Sequence, residues 1–211
     1  MATLTTIRAQ LRKDLHDEDS NNYRWVDATL ERHIERARRE LSYALPREQK
    51  TTLLTSAGSR DVSISGLSDL IRIVAVEWPA GEWPPVYVQF SVWETTLTLQ
   101  VEAVPAAAQD VHVYWGKVHT VDASASTVPA WAEEALLAGA AGYAAVEWAS
   151  FATNRANVSG TGAVDDYEAW GRERLRDFRT WLRRFQSRVR SSRLYTPAQA
   201  EPDQSTVVWD P

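Results

Sequence analysis

The chain has 211 residues, of which 44% are hydrophobic and 10 are tryptophan, enough apolar material for a substantial core. A net charge of -5 argues against a general nucleic-acid binder, and the absence of cysteine excludes disulfides, thiolate metal sites and cysteine nucleophiles. The charge is uneven, because residues 171–193 hold nine arginines against two acids and carry +7, which leaves -12 for the rest.

Two amphipathic helices are predicted at the start of the chain. In the first, apolar residues recur at intervals of three and four, at Leu4, Ile7, Leu11 and Leu15. The acidic stretch HDEDSNN follows as a loop. A second helix runs from about Asp27 to Leu45, and Pro46 ends it.

From about Thr51 the hydrophobic period changes from 3.6 to 2, which predicts strands. TLTLQVEA, PPVYVQFSVW and DVHVYW alternate apolar with polar or exposed positions, and DLIRIVAVEW, TTLLTS and DVSIS are further candidates. The turn signals AGSR, PAGEWPP and PAAAQD separate them. Half a dozen short strands predict a small antiparallel sandwich or a barrel-like β domain.

Helical patterning then returns in STVPAWAEEALLAGAAGYAAVEWASF, whose small residues Ala138, Gly142, Ala145 and Ala149 predict a face that another helix approaches closely. The most apolar stretch, residues 135–146, is shorter than the roughly 20 residues that span a bilayer, and no export signal is recognised. We therefore expect a buried helix in a soluble, cytoplasmic protein. After a polar loop, a last long helix combines an aromatic stripe with the arginines.

The predicted fold class is α+β, a four-helix bundle with a small antiparallel β domain inserted between helices 2 and 3 and an extended C-terminal tail. Residues 1–50 are the N-terminal helices of the bundle, and 51–123 are the inserted β domain. Residues 124–195 are the C-terminal helices of the bundle, and 196–211 are an extended C-terminal arm. Bundling is expected because neither helix pair alone buries both its faces.

Catalytic and metal-binding motifs are missing from the sequence. His16, His33, His112 and His119 are isolated and form no HExxH pattern, although His112 and His119 could meet in the sheet. Phosphate-binding glycine loops and a GxSxG nucleophile motif are also absent. The carboxylate clusters DED, EE and DD could bind a divalent cation, but the last two pairs stand at helix starts, where acids complement the helix dipole without one. We expect no enzyme, no cofactor and no metal site.

Two features suggest binding instead. The arginine-rich helix either exposes a solvated face, contacts an acidic partner surface or binds DNA phosphates. Arginine favours the partner contact because its guanidinium forms bidentate hydrogen bonds at protein interfaces. The terminal STVVWDP sets Val207, Val208 and Trp209 at the tip of a polar, proline-containing tail. Two interpretations are open. Either the tail is a disordered end with a chance apolar cluster, or this segment adds a strand to an exposed sheet edge on another chain.

Three segments carry a resemblance to a known family: IRAQLRKDLHDEDSNNYRWVDATLERHIERARRELSYALP, LIRIVAVEWPAGEWPPVYVQFSVWETTLTL and STVPAWAEEALLAGAAGYAAVEWA. Together they resemble the head-tail adaptor, or connector, proteins of tailed bacteriophages, in the longer members that insert a β domain before the Ala-rich third helix. The resemblance covers nearly the whole chain to about Tyr195, and it is carried by the order of individually weak motifs.

The resemblance implies assembly rather than catalysis: a ring of usually twelve copies beneath the portal protein at the capsid vertex, with DNA passing through without sequence-specific binding. The expected location is the virion head-tail interface, after assembly in the host cytoplasm, with the portal and other tail or connector proteins as partners and no membrane. The expected portal-binding residues are Arg179, Arg183, Arg184, Arg188, Arg190, Val207, Val208 and Trp209. Trp25, Ala138, Gly142 and Ala145 are expected in subunit packing, and Asp17, Glu18 and Asp19 are candidates for the lumen.

Two rival functions remain open. A nucleic-acid-binding module would use the arginine helix and depend steeply on salt. A carbohydrate-binding protein would use the surplus tryptophans of the β domain, which are Trp78, Trp83, Trp93 and Trp115.

Overall fold

The computed structural model describes residues 2–153 and 162–186. Helices α1 (Leu4–Asp14) and α2 (Asp27–Ala44) come first. Six strands follow: β1 (Arg47–Leu54), β2 (Asp61–Ser63), β3 (Leu70–Glu77), β4 (Phe90–Trp93), β5 (Thr96–Leu99) and β6 (Asp110–Lys117). A short 3-10 turn, Ala130–Ala132, leads into α3 (Glu133–Thr153), and α4 (Gly162–Gln186) is the last described element.

The six strands form two three-stranded antiparallel sheets, in the orders β1-β6-β3 and β2-β5-β4. In the first sheet β1 and β6 pair along their whole length, from Arg47 opposite Lys117 to Leu54 opposite Asp110. Side chains from both sheets share one apolar core, which includes Val62, Val76, Leu97, Leu99, Val111, Val113 and Trp115. An α+β chain with a six-stranded β domain between the second and third helices is therefore confirmed.

The predicted four-helix bundle is wrong. In such a bundle each helix contributes one apolar stripe to a shared core. In α3, however, the seven consecutive residues 139–145 are all buried, so that this helix is enclosed on every side. It packs mainly against α4 and α2, whereas the short α1 makes only minor contacts with α2 and α3. The small residues of α3 explain this arrangement, because they let neighbours approach from several directions.

The stretch Ala130–Ala152 is long and apolar enough to cross a membrane, and 56% of its most apolar window is buried inside the protein. It is the one such stretch in the part of the chain that the structure describes.

The β domain is joined to the helices through a buried polar junction. The backbone N–H of His119 donates to Ser42 Oγ at 3.0 Å, and the ring Nε2 lies 2.9 Å from the carbonyl oxygen of Leu45. Since that carbonyl only accepts, Nε2 carries the hydrogen, and Nδ1 accepts from Thr127 Oγ1 at 3.2 Å. Burial lowers the pKa of His119 and keeps its ring neutral at pH 7.

Candidate partner-binding site

Glycines set the position of α4 against α3. A Cβ added at Gly142 would lie 2.7 Å from Leu175 Cγ and 2.9 Å from the carbonyl oxygen of Gly171. On the other side, a Cβ added at Gly171 would lie 2.9 Å from Ala145 Cβ. The two helices therefore approach so closely that larger residues do not fit between them, as the small residues of α3 predicted.

Close packing turns the aromatic stripe of α4 inward and its arginines outward. Leu175, Phe178 and Phe185 are all buried. The arginines Arg172, Arg176, Arg179 and Arg183 are exposed and line a single groove of about 500 Å³. Val146 of α3 and Leu175 of α4 supply the apolar part of its lining. We call this feature the arginine groove.

The four arginines follow one another at intervals of four, three and four residues. Eleven residues over three turns average close to the 3.6 residues of an α-helical turn, so that the four side chains form a nearly straight row. At 1.5 Å per residue the row is about 16 Å long. The arginine groove therefore presents an ordered line of guanidinium groups.

Most of these charges have no counter-ion in the part of the chain that the structure describes. Arg172 Nη2 binds Glu168 Oε1 at 2.5 Å, one turn earlier, and Arg183 Nη2 donates to the hydroxyl of Thr180 at 3.1 Å. Among the side chains that the structure describes, those of residues 2–152 and 166–186, no carboxylate lies within ion-pair distance of Arg176, Arg179 or Arg183. Their positive charge is thus available to an external acidic group.

The predicted portal-binding residues divide into three groups. Arg179 and Arg183 lie in the arginine groove. Arg184 is on a different face of α4, with its guanidinium carbon 5.9 Å from the Trp181 ring centroid. Arg188, Arg190, Val207, Val208 and Trp209 lie outside the described residues. The prediction missed Arg172 and Arg176, although their spacing in the sequence carries the signal.

The residues expected in subunit packing lie mostly inside the chain. Trp25 is only 4% exposed and packs beside Trp148 and Tyr167. Gly142 and Ala145 are buried against α4, and Ala138 is half-buried. A role of these residues between subunits stays a prediction, and three of the four are already covered by this chain's own helices.

The three acids proposed for a lumen differ in environment. Asp17 is buried, accepting from Arg12 Nη1 at 2.5 Å and from the backbone N–H groups of Arg24 and Trp25 at 2.6 and 3.3 Å. Glu18 and Asp19 are exposed. Asp17 therefore fixes the loop between α1 and α2, and only its two neighbours present carboxylates at the surface.

The YRW segment packs through its arginine and tryptophan. The Arg24 guanidinium carbon lies 4.6 Å from the Trp148 ring centroid and 5.5 Å from those of Trp25 and Tyr167. The hydroxyl of Tyr167 donates to the carbonyl oxygen of Leu15 at 2.8 Å. These contacts tie α4 to the end of α1 and hold α4 in place.

The histidines are separate, each in its own setting. His33 is buried 3.5 Å from Glu147 Oε2, and burial lowers its pKa. His112 Nδ1 lies 3.3 Å from Glu77 Oε2. Burial acts to raise the pKa of Glu77, but hydrogen bonds from Tyr114 and Gly81, together with the nearby His112 ring, bring it below its usual value. No three His, Asp or Glu side chains are grouped as metal ligands in the part of the chain that is described.

The tryptophans proposed for sugar binding do not share one exposed surface. Trp115 is buried and donates from Nε1 to Thr51 Oγ1 at 2.9 Å, and Trp78 is only partly exposed. Trp83 and Trp93 are 91% and 82% exposed. Two of the four therefore serve the core of the β domain, which weakens the carbohydrate hypothesis.

No model of a known protein family matches the chain, and no similar sequence is found among curated proteins.

Proposed function

We propose that this protein is a structural head-tail adaptor of a tailed bacteriophage, which assembles into a ring under the portal and joins the capsid vertex to the tail. The sequence resemblance described above supports the proposal through the order of its motifs. The β domain inserted between the second and third helices agrees with the longer members of that family.

The observation that carries the proposal is the arginine groove. A row of exposed guanidinium groups is suited to docking on an acidic protein surface, and three of them have no carboxylate partner among the described side chains of residues 2–152 and 166–186. The groove lies on α4, which is followed in the sequence by 25 residues that include the apolar Val207, Val208 and Trp209. In the proposed adaptor, groove and terminal segment contact the portal together.

Native mass spectrometry of the full chain mixed with a purified candidate portal ring tests this function. We expect a complex with a fixed number of copies, usually twelve in this family. A version ending at Tyr195 should attach less, because Trp209 is the expected interface anchor. A chain that stays monomeric beside the portal in both forms would refute the proposal.

A nucleic-acid-binding module is the second candidate, because the same row of arginines could contact phosphates. This function predicts binding to duplex DNA that falls steeply between 50 and 200 mM salt, on the order of 10³-fold or more where six or more phosphates are contacted. The double variant Arg183→Ala, Arg184→Ala, which removes one arginine of the row and one on a neighbouring face of α4, should then weaken DNA binding. Titration of labelled duplex DNA at the two salt concentrations separates the two candidates.

A further inference from the structure

The spacing of the arginine groove restricts the shape of its partner. Arg172, Arg176, Arg179 and Arg183 are separated by four, three and four residues, a pattern that reads the same in both directions. A second α-helix with acids at i, i+4, i+7 and i+11 has the same spacing along its own axis. Each carboxylate of such a helix then lies opposite one guanidinium, in either helix orientation.

We propose that the arginine groove binds an acidic amphipathic α-helix of a partner protein, with carboxylates at this four-three-four spacing. The inference rests on the proposed function only in assuming that the groove binds a partner. It adds the secondary structure and the charge spacing of that partner. Arg binds carboxylates bidentately, which fixes both distance and direction. Val146 and Leu175 offer an apolar strip to the small or aliphatic residues of the bound helix.

A helix from a second copy of this chain does not meet the requirement. In α2 the acids Asp27, Glu31 and Glu35 follow at intervals of four and four, so that they drift around the helix. They are also occupied, because Arg8 and Arg12 bind Asp27, Arg8 binds Glu31, and Arg38 and Arg39 bind Glu35. None of the helices α1 to α4, as described here, carries the four-three-four pattern of acids. The occupant therefore belongs to another protein.

Duplex DNA is a poorer match than an acidic helix. The chain as a whole carries a net charge of -5 and repels an extended polyanion. An acidic helix concentrates its charge opposite the four arginines and leaves its other faces free of that repulsion. The groove also has an apolar strip, which phosphates do not use.

Fluorescence anisotropy of a labelled 18-residue helical peptide tests the proposal with the full chain. The peptide carries Glu at i, i+4, i+7 and i+11 with Leu and Ala beside them. The control peptide has the same composition, with its four Glu distributed around the helix. We expect the first peptide to bind at least tenfold more tightly than the control in 50 mM NaCl, and more weakly in 500 mM NaCl because salt screens exposed charges.

Protein variants locate the binding surface. The double variant Arg176→Glu, Arg179→Glu should weaken peptide binding at least tenfold, because it reverses two of the four contacts. Arg174→Glu is the control, since Arg174 is exposed on the opposite face of the same helix, 5.3 Å from the Trp170 ring centroid. It should change the affinity less than twofold. All altered residues are exposed, and circular dichroism verifies that helix content is kept.

The outcomes separate this inference from the adaptor function. Equal binding of both peptides, no binding up to 1 mM, or unchanged binding by the double variant would overturn the inference. Stronger binding of an 18-base-pair duplex than of the acidic peptide would overturn it in favour of nucleic acid. If the peptide binds as expected but the portal ring does not attach, the adaptor function fails and the acidic-helix site stands. If the portal ring attaches equally to the double variant, the adaptor function stands and the acidic-helix site fails.

Discussion

Replacing Gly142 by alanine tests the contact between α3 and α4, which positions the arginine groove. The new Cβ would lie 2.7 Å from Leu175 Cγ and 2.9 Å from the backbone carbonyl oxygen of Gly171. Real Cβ atoms essentially never lie this close to another heavy atom. The leucine side chain can turn away, but the carbonyl belongs to the helix backbone, so that the two helices must separate.

Two opposing effects set the size of the change in stability. Alanine in place of glycine within a helix stabilises by about 1 kcal/mol through backbone entropy. Overpacking a tight interface costs about 1–3 kcal/mol, and a backbone clash belongs to the upper part of that range. We therefore expect Gly142→Ala to lower the free energy of unfolding by about 1–2 kcal/mol. For a chain of this size the melting temperature falls by roughly 2–8 °C.

Urea unfolding followed by circular dichroism at 222 nm measures this change, with Gly66→Ala as the matched control. A Cβ at Gly66 meets nothing within 4 Å, and its φ is not in the left-handed region. That replacement should be neutral or stabilise by up to about 1 kcal/mol, through the unfolded state alone. If Gly142→Ala is as stable as Gly66→Ala, the helices are not in close contact and our account of the groove's position is wrong.

Two further predictions concern buried ionisable groups. Asp17→Ala should cost about 3–5 kcal/mol, because it removes the buried one of the two carboxylates that bind Arg12 and leaves the backbone N–H groups of Arg24 and Trp25 without their acceptor. The exposed neighbour Glu18→Ala should change stability by less than about 0.5 kcal/mol, and equal urea midpoints for the two variants would contradict this. The pKa values of His33 and His119 are lowered by burial, so that the unfolded chain takes up their protons first and stability is lost as the pH falls below about 6.5. The urea midpoint of the wild type should therefore be lower at pH 5.5 than at pH 7.5. This difference should be smaller in the double variant His33→Gln, His119→Gln. A wild-type midpoint that does not change with pH would argue against neutral buried rings.

The strands could be predicted from the sequence because their signal is local. In β5 the residues Leu97 and Leu99 are buried and alternate with half-exposed threonines, as the period of two requires. The prediction was less accurate for PPVYVQFSVW, of which only Phe90–Trp93 is a strand. Earlier in that segment, Val86 accepts a hydrogen bond from the backbone N–H of Trp78, in an irregular connection outside the ladders. Whether a segment forms a strand or an irregular connection depends on contacts with residues that are distant in sequence.

The four-helix bundle could not be judged from one helix at a time. The sequence of α3 has small or apolar residues on every side, a pattern of a helix enclosed by others rather than one with a single buried stripe. The burial of residues 139–145 shows that α3 is such a helix. Choosing between four helices around a shared core and three around a central one requires the lengths and directions of the partners, which periodicity does not contain.

The candidate site was only half predicted, for a similar reason. The bias toward arginine in the last helix is visible in composition, and it identified Arg179 and Arg183. Which arginines share a face follows from the four-three-four spacing, and that they line a groove follows from the approach of α3, which brings Val146 beside them. Asp17 illustrates the opposite error: an acid in a polar loop predicts exposure, but Arg12 and the backbone of Trp25 bury it.

The arginine groove and the β domain are connected by contacts between packed elements. Ser42 Oγ on α2 accepts from the backbone N–H of His119, just after β6, and donates to the carbonyl oxygen of Arg38. A Cβ at Gly116 of β6 would lie 2.6 Å from Pro46 Cβ, so that the strand lies directly against the end of α2. From there α2 packs on α3, and α3 packs on α4. The partner proposed for the groove would therefore also orient the β domain, which the proposed adaptor function requires.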